Sequence, residues 1–211
     1  MAQASQALAG IILAGGLARR MGGGDKCLLT LGDKTLLQHT IERATPQLAA
    51  LALNANGDPL RFALSGLPIV VDHFANHMGP LAGIHAGLKW MRETTAHQWL
   101  ASFPCDTPFF PLDLLEKLFA QTGGGVNLVV ARANQQTHSV FALWHSSLLE
   151  KIAEQLASGK VPRLQDWIDQ QNTAYVDFSS DSDDSFFNIN TPDNLIAAEA
   201  ILERQIKERL C

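Results

Sequence analysis

The sequence has few cysteines, and their arrangement argues against two classes of protein. Its three cysteines, Cys27, Cys105 and Cys211, lie far apart and form no C-x-x-C pair. A disulfide framework needs paired cysteines and a structural zinc site needs closely spaced ones, so the sequence indicates neither. Unpaired thiols are typical of reducing compartments, and we therefore predict a cytoplasmic protein.

Positive charge is also scarce, and long apolar runs are missing. The 16 Lys and Arg residues stand against 21 Asp and Glu residues, and the net charge of −5 opposes nonspecific binding to nucleic acid. Apolar runs such as Ile69–Val71 and Leu128–Ala131 are too short to cross a bilayer. Because Met1–Gln6 carries no positive charge ahead of an apolar stretch, we expect no signal peptide and no membrane association.

No repeat or long linker divides the sequence, so we expect one unit over residues 1–211. Its first half predicts strands and helices in alternation. The strands are expected at Leu8–Leu13, Ala50–Asn54, Ile69–Val71 and Gln98–Phe103, and the helices at Thr35–Leu48, Leu81–Arg92 and Pro111–Ala120. This order predicts a three-layer α/β protein with helices on both faces of a mostly parallel sheet. Such sheets bind ligands at the carboxyl ends of their strands.

The second half predicts an antiparallel excursion. Two β-rich runs, Asn127–Arg132 and Ser139–Trp144, flank the polar segment Ala133–His138, which we expect to connect them. Later runs predict helices at Ser146–Leu156 and near Leu164–Gln170, a strand at Thr173–Phe178 and a last helix from Pro192 to Arg209. Thr191 suits the N-cap of that helix and Pro192 its first position.

The segment Leu13–Lys26 follows the first predicted strand and combines five glycines with Arg19, Arg20 and Lys26. The segment contains no fitting G-x-G-x-x-G, so it is not a dinucleotide-binding fingerprint. It also lacks the G-x-x-x-x-G-K of a P-loop, and Cys27 stands where a P-loop has Ser or Thr. Glycines let backbone N–H groups approach phosphate oxygens, and the cations supply charge. We predict a phosphate-binding segment; the alternative is a flexible surface loop with solvated charges.

Asp106 is the candidate metal ligand. It lies in Pro104-Cys-Asp-Thr-Pro108, just beyond the predicted strand Gln98–Phe103, so its carboxylate should reach the ligand-binding edge. Mg²⁺ commonly takes one or two protein carboxylates together with phosphates and water. The alternative for Asp106 is an Asx-turn before Pro108. We expect Cys105 to be a packed residue, since no histidine pairs with it.

Two pairs of polar residues complete the candidate site. Asn54 and Asp72 lie at neighbouring strand ends, where each can bind a base or a ribose; the alternatives are a turn residue for Asn54 and a helix or loop cap for Asp72. Asn188 and Asn190 alternate, so their amides should point the same way and suit a heteroaromatic acceptor. The alternative for that pair is a turn that caps the last helix.

The pattern L-A-G-G-x-x-x-R-M-G-x-x-D-K at Leu13–Lys26 closely resembles the signature of the molybdenum cofactor guanylyltransferases. Further motifs resemble that family, in the right order over nearly the whole chain: Leu53-Asn-Ala-Asn56, Val71-Asp72, Gly79-Pro-Leu-Ala-Gly83, Pro104-Cys-Asp-Thr-Pro108, Phe141-Ala-Leu-Trp-His145 and Asn188-Ile-Asn-Thr-Pro192. The resemblance implies a Rossmann-like nucleotidyltransferase fold, with nucleotide bound mainly by the N-terminal half and acceptor mainly by the C-terminal half.

The resemblance also implies an activity, the transfer of GMP from GTP to the phosphate of molybdopterin, with Mg²⁺ on Asp106. The implied catalytic residues are Arg20, Lys26 and Asp106. The implied nucleotide site contains Leu13, Ala14, Gly15, Gly16, Lys26, Asn54, Asp72 and Asp106. The implied acceptor site contains Gly79, Gly83, Arg163, Asn188 and Asn190. Beyond the two substrates, the partners it suggests are other cofactor-biosynthesis proteins and molybdoenzyme chaperones.

Guanine is indicated by the glycines of the first motif. Cytidylyl relatives commonly carry L-A-A-G, whereas this chain has Gly16 after Gly15, and a missing methyl group leaves room for a purine. Three alternatives stay open at this point. They are cytidylyl transfer to the same cofactor, nucleotidyl transfer to a sugar or alditol phosphate, and a noncatalytic protein that escorts the cofactor.

Overall fold

The computed structural model describes residues 8–15, 24–74, 78–178 and 184–210, with the backbone alone for residues 209 and 210. The strands within these ranges are β1 (Leu8–Leu13), β2 (Thr30–Leu31), β3 (Lys34–Thr35), β4 (Ala50–Asn54), β5 (Ile69–Val70), β6 (Trp99–Pro104), β7 (Leu128–Ala133), β8 (Gln136–His145) and β9 (Thr173–Phe178). The α-helices are α1 (Leu36–Ala44), α2 (Pro80–Thr94), α3 (Leu114–Phe119), α4 (Leu149–Ala157), α5 (Leu164–Ile168) and α6 (Pro192–Leu210).

Seven strands form one mixed sheet in the order β5-β4-β1-β6-β8-β7-β9. β1 pairs in parallel with β4 and β6, β4 pairs with β5, and β7 pairs with β9. β8 runs antiparallel to both of its neighbours, β6 and β7. The predicted α/β class and the predicted antiparallel excursion are therefore confirmed, and β8 is the strand that makes the excursion.

Helices cover both faces of the sheet because strand side chains alternate between two apolar cores. Leu8 and Ile12 of β1 belong to the core that includes α1 and α3. Ala9 and Ile11 belong to the core that includes α2, α4 and α5. Burial on both faces explains why β1 is a continuous apolar run, and it confirms the three layers.

Local sequence sets the limits of α1. Its first turn is closed by a capping box, in which Thr35 Oγ1 accepts from the Gln38 N–H at 3.1 Å and Gln38 Oε1 accepts from the Thr35 N–H at 2.8 Å. The helix ends at Ala44, short of the predicted end at Leu48. Pro46 explains the difference, because it has no N–H to continue the α-helical hydrogen bonds, and a 3₁₀ turn follows.

The connection between β7 and β8 is shorter than the sequence predicts. The polar segment Ala133–His138 is mostly strand, since β7 reaches Ala133 and β8 begins at Gln136. Only Asn134 and Gln135 form the turn, with φ of 49° and 61°. Two consecutive positive φ angles are typical of a type I′ turn, whose twist matches that of the flanking strands. Polar composition is therefore a poor guide here, because β8 starts on an exposed stretch.

A small hairpin and the last helix pack beside α1. The β2–β3 hairpin was not among the predicted elements, because strands of two residues carry no periodic signal. Apolar residues of β2, α1 and α6 share a third core, which contains Leu31, Leu36, Ile189, Ala198 and Ile201. The predicted cap of α6 is confirmed, since Thr191 Oγ1 accepts from the Asn194 N–H at 3.2 Å. Within the described ranges, no helix is both long and apolar enough to span a membrane.

Candidate nucleotide-binding site

A pocket of about 370 Å³ lies where the carboxyl ends of β1, β4, β5 and β6 meet. The loops after these strands supply most of its wall, and β8 and the segment before α6 supply the rest. The lining residues are Leu13, Gly15, Lys26, Asn54, Asn56, Asp72, Gly79, Pro80, Pro104, Cys105, Asp106, Val140 and Asn188. This is the edge at which α/β sheets bind their ligands.

Lys26 is a buried cation in this pocket. Only 8% of its surface is exposed, and as the last residue of the predicted phosphate-binding segment it begins the short 3₁₀ helix Lys26–Leu28. Its Nζ donates to Asp106 Oδ2 at 2.5 Å and to Asn190 Oδ1 at 2.5 Å. Partners of this kind offset the cost of removing an ammonium group from water. Among the described residues, these partners use two of its three N–H donors, and the third is available for a phosphate oxygen.

Asp106 lies directly after β6, where the sequence predicts it. Its side chain is half-buried, its Oδ2 pairs with Lys26, and its Oδ1 accepts from Thr107 Oγ1 at 3.2 Å. Its backbone oxygen accepts from the Ile189 N–H at 2.9 Å, which fastens the segment before α6 to the end of β6. The described contacts of the carboxylate are with side chains, which disfavours the alternative Asx-turn.

The segment before α6 brings Asn188 to the pocket and Asn190 to Lys26. Ile189 is buried, while Asn188 and Asn190 on either side of it are exposed, as their alternation predicts. Asn188 lines the pocket and Asn190 binds Lys26. The Asn190 N–H also donates to Asn194 Oδ1 at 3.2 Å, so the same segment leads into α6. The site role and the helix-start role are therefore compatible.

Asn54 and Asp72 are direct neighbours, and Asn56 holds them in place. Asn54 Nδ2 donates to Asp72 Oδ1 at 2.9 Å, and Asn56 Nδ2 donates to Asp72 Oδ2 at 2.7 Å. The Asp72 N–H donates in return to Asn56 Oδ1 at 2.9 Å. Each carboxylate oxygen keeps capacity for a further donor, so this cluster can accept from the hydroxyl groups of a ribose or the N–H groups of a base.

Gly83 supports this cluster from α2. A Cβ at position 83 would come within 2.3 Å of Asn54 Oδ1 and within 2.9 Å of Leu13 Cδ2, so only glycine leaves Asn54 in its position. Gly83 is buried and is not among the residues that line the pocket, in contrast to Gly79 at the N-cap of α2. Gly83 therefore contacts a predicted nucleotide-binding side chain, and its predicted contact with the acceptor stays a prediction.

The phosphate-binding segment is only partly described. Leu13 and Gly15 line the pocket, and the N–H of the buried Ala14 donates to the backbone oxygen of Asn54 at 2.9 Å. The roles predicted for the central part of the segment stay predictions. Three predicted residues lie outside the part of the chain that the structure describes: Gly16, Arg19 and Arg20.

The structure does not bring Arg163 to the other candidates. This residue is exposed and precedes α5, and it does not line the pocket. α5 belongs to the face of the sheet that also carries α2 and α4. The acceptor-binding role of Arg163 therefore stays a prediction without support from the geometry.

Cys105 lies in the pocket wall but is not suited to nucleophilic chemistry. A hydrogen bond with the Cys27 thiol, together with complete burial, raises the pKa of the Cys105 thiol well above its usual range. The thiolate is the reactive form of cysteine, and such a pKa keeps Cys105 protonated. This supports its expected role as a packed residue.

The residues present fit one kind of metal site. Among the described residues, no group of three or more His, Cys, Asp or Glu side chains could hold a metal ion. A site made of protein ligands alone is therefore not formed by these residues. Asp106 offers a single carboxylate at the pocket edge, and this fits Mg²⁺, which takes its other ligands from substrate phosphates and water.

Sequence reasoning missed three residues that contact the predicted ones. Asn56 follows Asn54 at a spacing of two, the period at which side chains of an extended segment share a side, and that signal could have identified it. Asp25 precedes Lys26 within the predicted segment. Arg61 binds the Asp25 carboxylate and donates to the backbone oxygen of Asn56 at 2.6 Å, and no local pattern indicates this long-range contact.

The mixed sheet and the pocket at the carboxyl ends of its strands define an α/β protein with a ligand site at this edge. The chain matches the model of the MobA-like NTP transferase domain over residues 10–174. It is 40% identical over 194 residues to the molybdenum cofactor guanylyltransferase of Nitrobacter hamburgensis. The aligned region covers 91% of this chain and 93% of that protein. Identity to the protein of the same name from Mesorhizobium japonicum is 41% over 200 residues, covering 93% and 96%. The chain belongs to the molybdenum cofactor guanylyltransferase family.

Solved structures confirm the fold. The molybdopterin-guanine dinucleotide biosynthesis protein A of Archaeoglobus fulgidus matches with a TM-score of 0.74 at 23% identity, covering 93% of this chain and 99% of that chain. The 4-diphosphocytidyl-2C-methyl-D-erythritol synthase of Anaerococcus prevotii matches with a TM-score of 0.68 at 14% identity, covering 93% and 98%. At these identities the likeness concerns the fold alone.

Proposed function

We propose that this protein transfers GMP from GTP to the terminal phosphate of molybdopterin and releases pyrophosphate. The observation that carries the proposal is the contact of Lys26 with both Asp106 and Asn190, which lie 80 and 164 residues away in the sequence. This contact joins the phosphate-binding segment, the candidate metal ligand and the candidate acceptor segment in one pocket. The names of the curated relatives support the same reaction.

The reaction needs the acceptor phosphate and the triphosphate of GTP to be held in line, and it does not need a general base. An oxygen of the acceptor phosphate attacks the α-phosphorus of GTP, the bond from that phosphorus to the bridging oxygen breaks, and pyrophosphate leaves with the electron pair. Because the acceptor oxygen is already anionic, no proton must be removed. The protein must hold the reactants in line and stabilise negative charge, and Lys26 is positioned for this with its remaining N–H donor.

Asp106 is the residue that would hold Mg²⁺. A Mg²⁺ ion held there would supply positive charge that stabilises the negative charge of the phosphates. The contact with Lys26 fixes the direction of the Asp106 carboxylate. Arg20 is proposed to act with Lys26 on the leaving pyrophosphate.

The Asn54–Asp72–Asn56 cluster is proposed to bind the nucleoside. Its carboxylate oxygens accept hydrogen bonds, and both guanine and ribose offer donors. Asn188 and Asn190 are proposed to face the acceptor, since Asn188 lines the pocket and Asn190 contacts Lys26, which also lines it. We further propose that the protein works in the cytoplasm beside other cofactor-biosynthesis proteins and molybdoenzyme chaperones, as its unpaired thiols and its family suggest.

Release of pyrophosphate tests the reaction. It should be measured with GTP, CTP, ATP and UTP, each with and without molybdopterin and each with and without magnesium. We expect turnover that needs GTP, the acceptor and the metal together, with kcat/KM for GTP at least about tenfold above CTP. A preference for CTP would contradict guanylyl transfer. Binding of GTP without any turnover would favour the escort protein.

The metal assignment needs a separate variant. Asp106→Ala should reduce turnover at least about a hundredfold, because the phosphates lose their metal ligand, and it should leave the far-UV circular dichroism unchanged. Asp113→Ala is a matched control, since Asp113 forms an exposed ion pair with Lys117 outside the pocket. Turnover by Asp106→Ala with the wild-type magnesium dependence would show that Asp106 is not the ligand.

A further inference from the structure

A chain of hydrogen bonds leads from the proposed nucleoside-binding cluster, through Arg61, which has no assigned role, to Asp25 beside Lys26. It begins at Asp72, whose carboxylate and N–H are held by the Asn56 side chain. It continues from the Asn56 backbone oxygen to the Arg61 guanidinium, and from there to the Asp25 carboxylate. Asp25 directly precedes Lys26 in the sequence. Arg61 is thus the link between the nucleoside side and the phosphate side.

The Arg61 guanidinium makes hydrogen bonds with three different residues. Its Nη2 donates to the Asn56 oxygen at 2.6 Å, its Nε donates to the Asp58 oxygen at 3.1 Å, and its Nη1 binds Asp25. The Asp25 side chain is 13% exposed, while that of Arg61 is 37% exposed, so one partner of this ion pair is shielded from water and the other is not. A single guanidinium plane therefore fixes two backbone carbonyls and one carboxylate.

The loop itself is adapted to this arginine. Gly57 lies between the two bound carbonyls with φ of 84°, a conformation that side chains rarely adopt, and a Cβ there would come within 3.2 Å of Arg61 Nη2. Asp58 caps the 3₁₀ helix Pro59–Ser65 by accepting from the Leu60 N–H at 3.0 Å, and that helix carries Arg61. The loop and the helix together present the guanidinium to Asp25.

We propose that Arg61 is a positioning residue of the nucleotide site, which orders Asn56, and through it Asp72, against the end of the phosphate-binding segment. The proposal rests on the proposed function, because it takes GTP as the ligand of this pocket. Arg61 is not among the residues that line the pocket, so it acts through its neighbours. Its loss should therefore weaken binding of GTP more than it slows the chemical step.

Steady-state kinetics with Arg61→Gln, Asp25→Asn and the double variant test this role. We expect Arg61→Gln to raise KM for GTP about tenfold and to change kcat by less than about threefold, the pattern of lost binding. The double variant should have nearly the KM of Arg61→Gln alone, because the two residues act as one contact. Arg61→Lys keeps the charge but loses the planar fork, so its KM should lie between those of the wild type and Arg61→Gln. Arg132→Gln is the matched control, since Arg132 forms a two-point ion pair with Asp177 between β7 and β9 at the far edge of the sheet.

Three results would overturn the assignment. The first is a KM for GTP that is unchanged in Arg61→Gln. The second is a double variant whose rise in KM equals the product of the rises in the two single variants. The third is an Arg61→Gln variant in which only kcat falls. Calorimetry with GTP alone separates this inference from the function. If the wild type turns GTP over and Arg61→Gln binds GTP as tightly as Arg132→Gln does, only the role of Arg61 is rejected. Weaker GTP binding by Arg61→Gln in a protein without turnover rejects only the proposed reaction, and a wild type that does not bind GTP rejects both.

Discussion

At the scale of single residues, Lys26 is the central one, because it contacts both the candidate metal ligand and a candidate acceptor-binding residue. It is buried and its charge is balanced by Asp106, with Asn190 as a second partner. We expect Lys26→Met to reduce kcat/KM for GTP at least about a hundredfold, because the charge on the phosphates and the orientation of Asp106 are both lost. The assay is pyrophosphate release at saturating acceptor. Lys34→Met, which removes an exposed ion pair with Glu42, is the control, and an equal loss in both variants would contradict the account.

Replacing Gly83 by alanine has two opposing effects on the free energy of unfolding. Alanine favours a helix over glycine by about 1 kcal/mol, but a Cβ at 2.3 Å from Asn54 Oδ1 forces a shift that costs about 1–3 kcal/mol. We expect Gly83→Ala to lower the free energy of unfolding by up to about 2 kcal/mol and to raise KM for GTP, because Asn54 moves. Urea unfolding and steady-state kinetics check the two effects. Gly123→Ala is the control, since no atom lies within 4 Å of its added Cβ; an unchanged KM in Gly83→Ala would refute the role of Gly83.

Most residue types at the site could be predicted, but several of their contacts could not. Asn54 ends a strand, Asp72 and Asp106 come soon after strands, and the rule that ligands bind at carboxyl ends is enough to place them. Arg61 offers no such signal, because its role arises from two loops that meet only in the folded chain. Gly83 packs against Asn54, a relation that sequence alone does not specify, and its predicted contact with the acceptor stays a prediction.

At the scale of elements, the prediction is accurate for the buried strands and for the partly buried β9, and it misses the start of β8 and the β2–β3 hairpin. β1, β4 and β6 are buried apolar runs, and their predicted and observed limits agree closely. β8 starts on exposed polar residues, and the β2–β3 hairpin is too short for any period to show. Pairing with a neighbouring strand, and not local composition, extends β8 to Gln136.

The β7–β8 turn allows a test of that interpretation. Gln135 adopts φ of 61° although it has a side chain, a conformation that costs roughly 1 kcal/mol relative to glycine. Asn-Gly is the favoured pair for a type I′ turn, so Gln135→Gly should raise the free energy of unfolding by about 1 kcal/mol. Gln136→Gly, one residue into β8, should lower it. Urea denaturation measures both, and destabilisation by Gln135→Gly would show that the turn is of another type.

At the scale of the whole molecule, a buried histidine predicts how stability depends on pH. His85 of α2 packs edge-on against Phe74, and within the described contacts its Nδ1 has no hydrogen-bond partner. Burial, followed by the nearby charges of His73, Lys89 and Arg92, lowers the pKa of His85 below its usual 6.5, while Glu150 acts in the opposite direction. The folded protein therefore binds this proton less readily than the unfolded chain does.

The sign of the effect follows from this difference. Above pH 6.5 His85 is neutral in both states and its contribution to stability is complete. As the pH falls from 6.5 towards the lowered pKa of the folded state, the unfolded chain takes up the proton first, and the free energy of unfolding decreases. His85→Leu should make this decrease shallower in urea unfolding between about pH 7 and pH 5. An identical pH dependence in the variant and the wild type would contradict the assignment.

The pocket as a whole joins residues from both ends of the chain, and this explains the limits of sequence reasoning. Lys26 and Asn190 are 164 residues apart, and their contact depends on the order of the seven strands and on the docking of α6. The family motifs identify such residues without indicating which of them touch. The division into a nucleotide-binding and an acceptor-binding half, within one unit over residues 1–211, stays a prediction.

The central claim is that GMP, and no other part of GTP, passes to the acceptor phosphate. Its most direct test is to incubate the protein, magnesium and molybdopterin with GTP labelled either at the α-phosphorus or at the γ-phosphorus, and to locate the label by chromatography. The account predicts that the α label appears in the pterin product and the γ label in pyrophosphate. Appearance of the γ label in the pterin, or release of the γ label as inorganic phosphate with no labelled pterin, would contradict it.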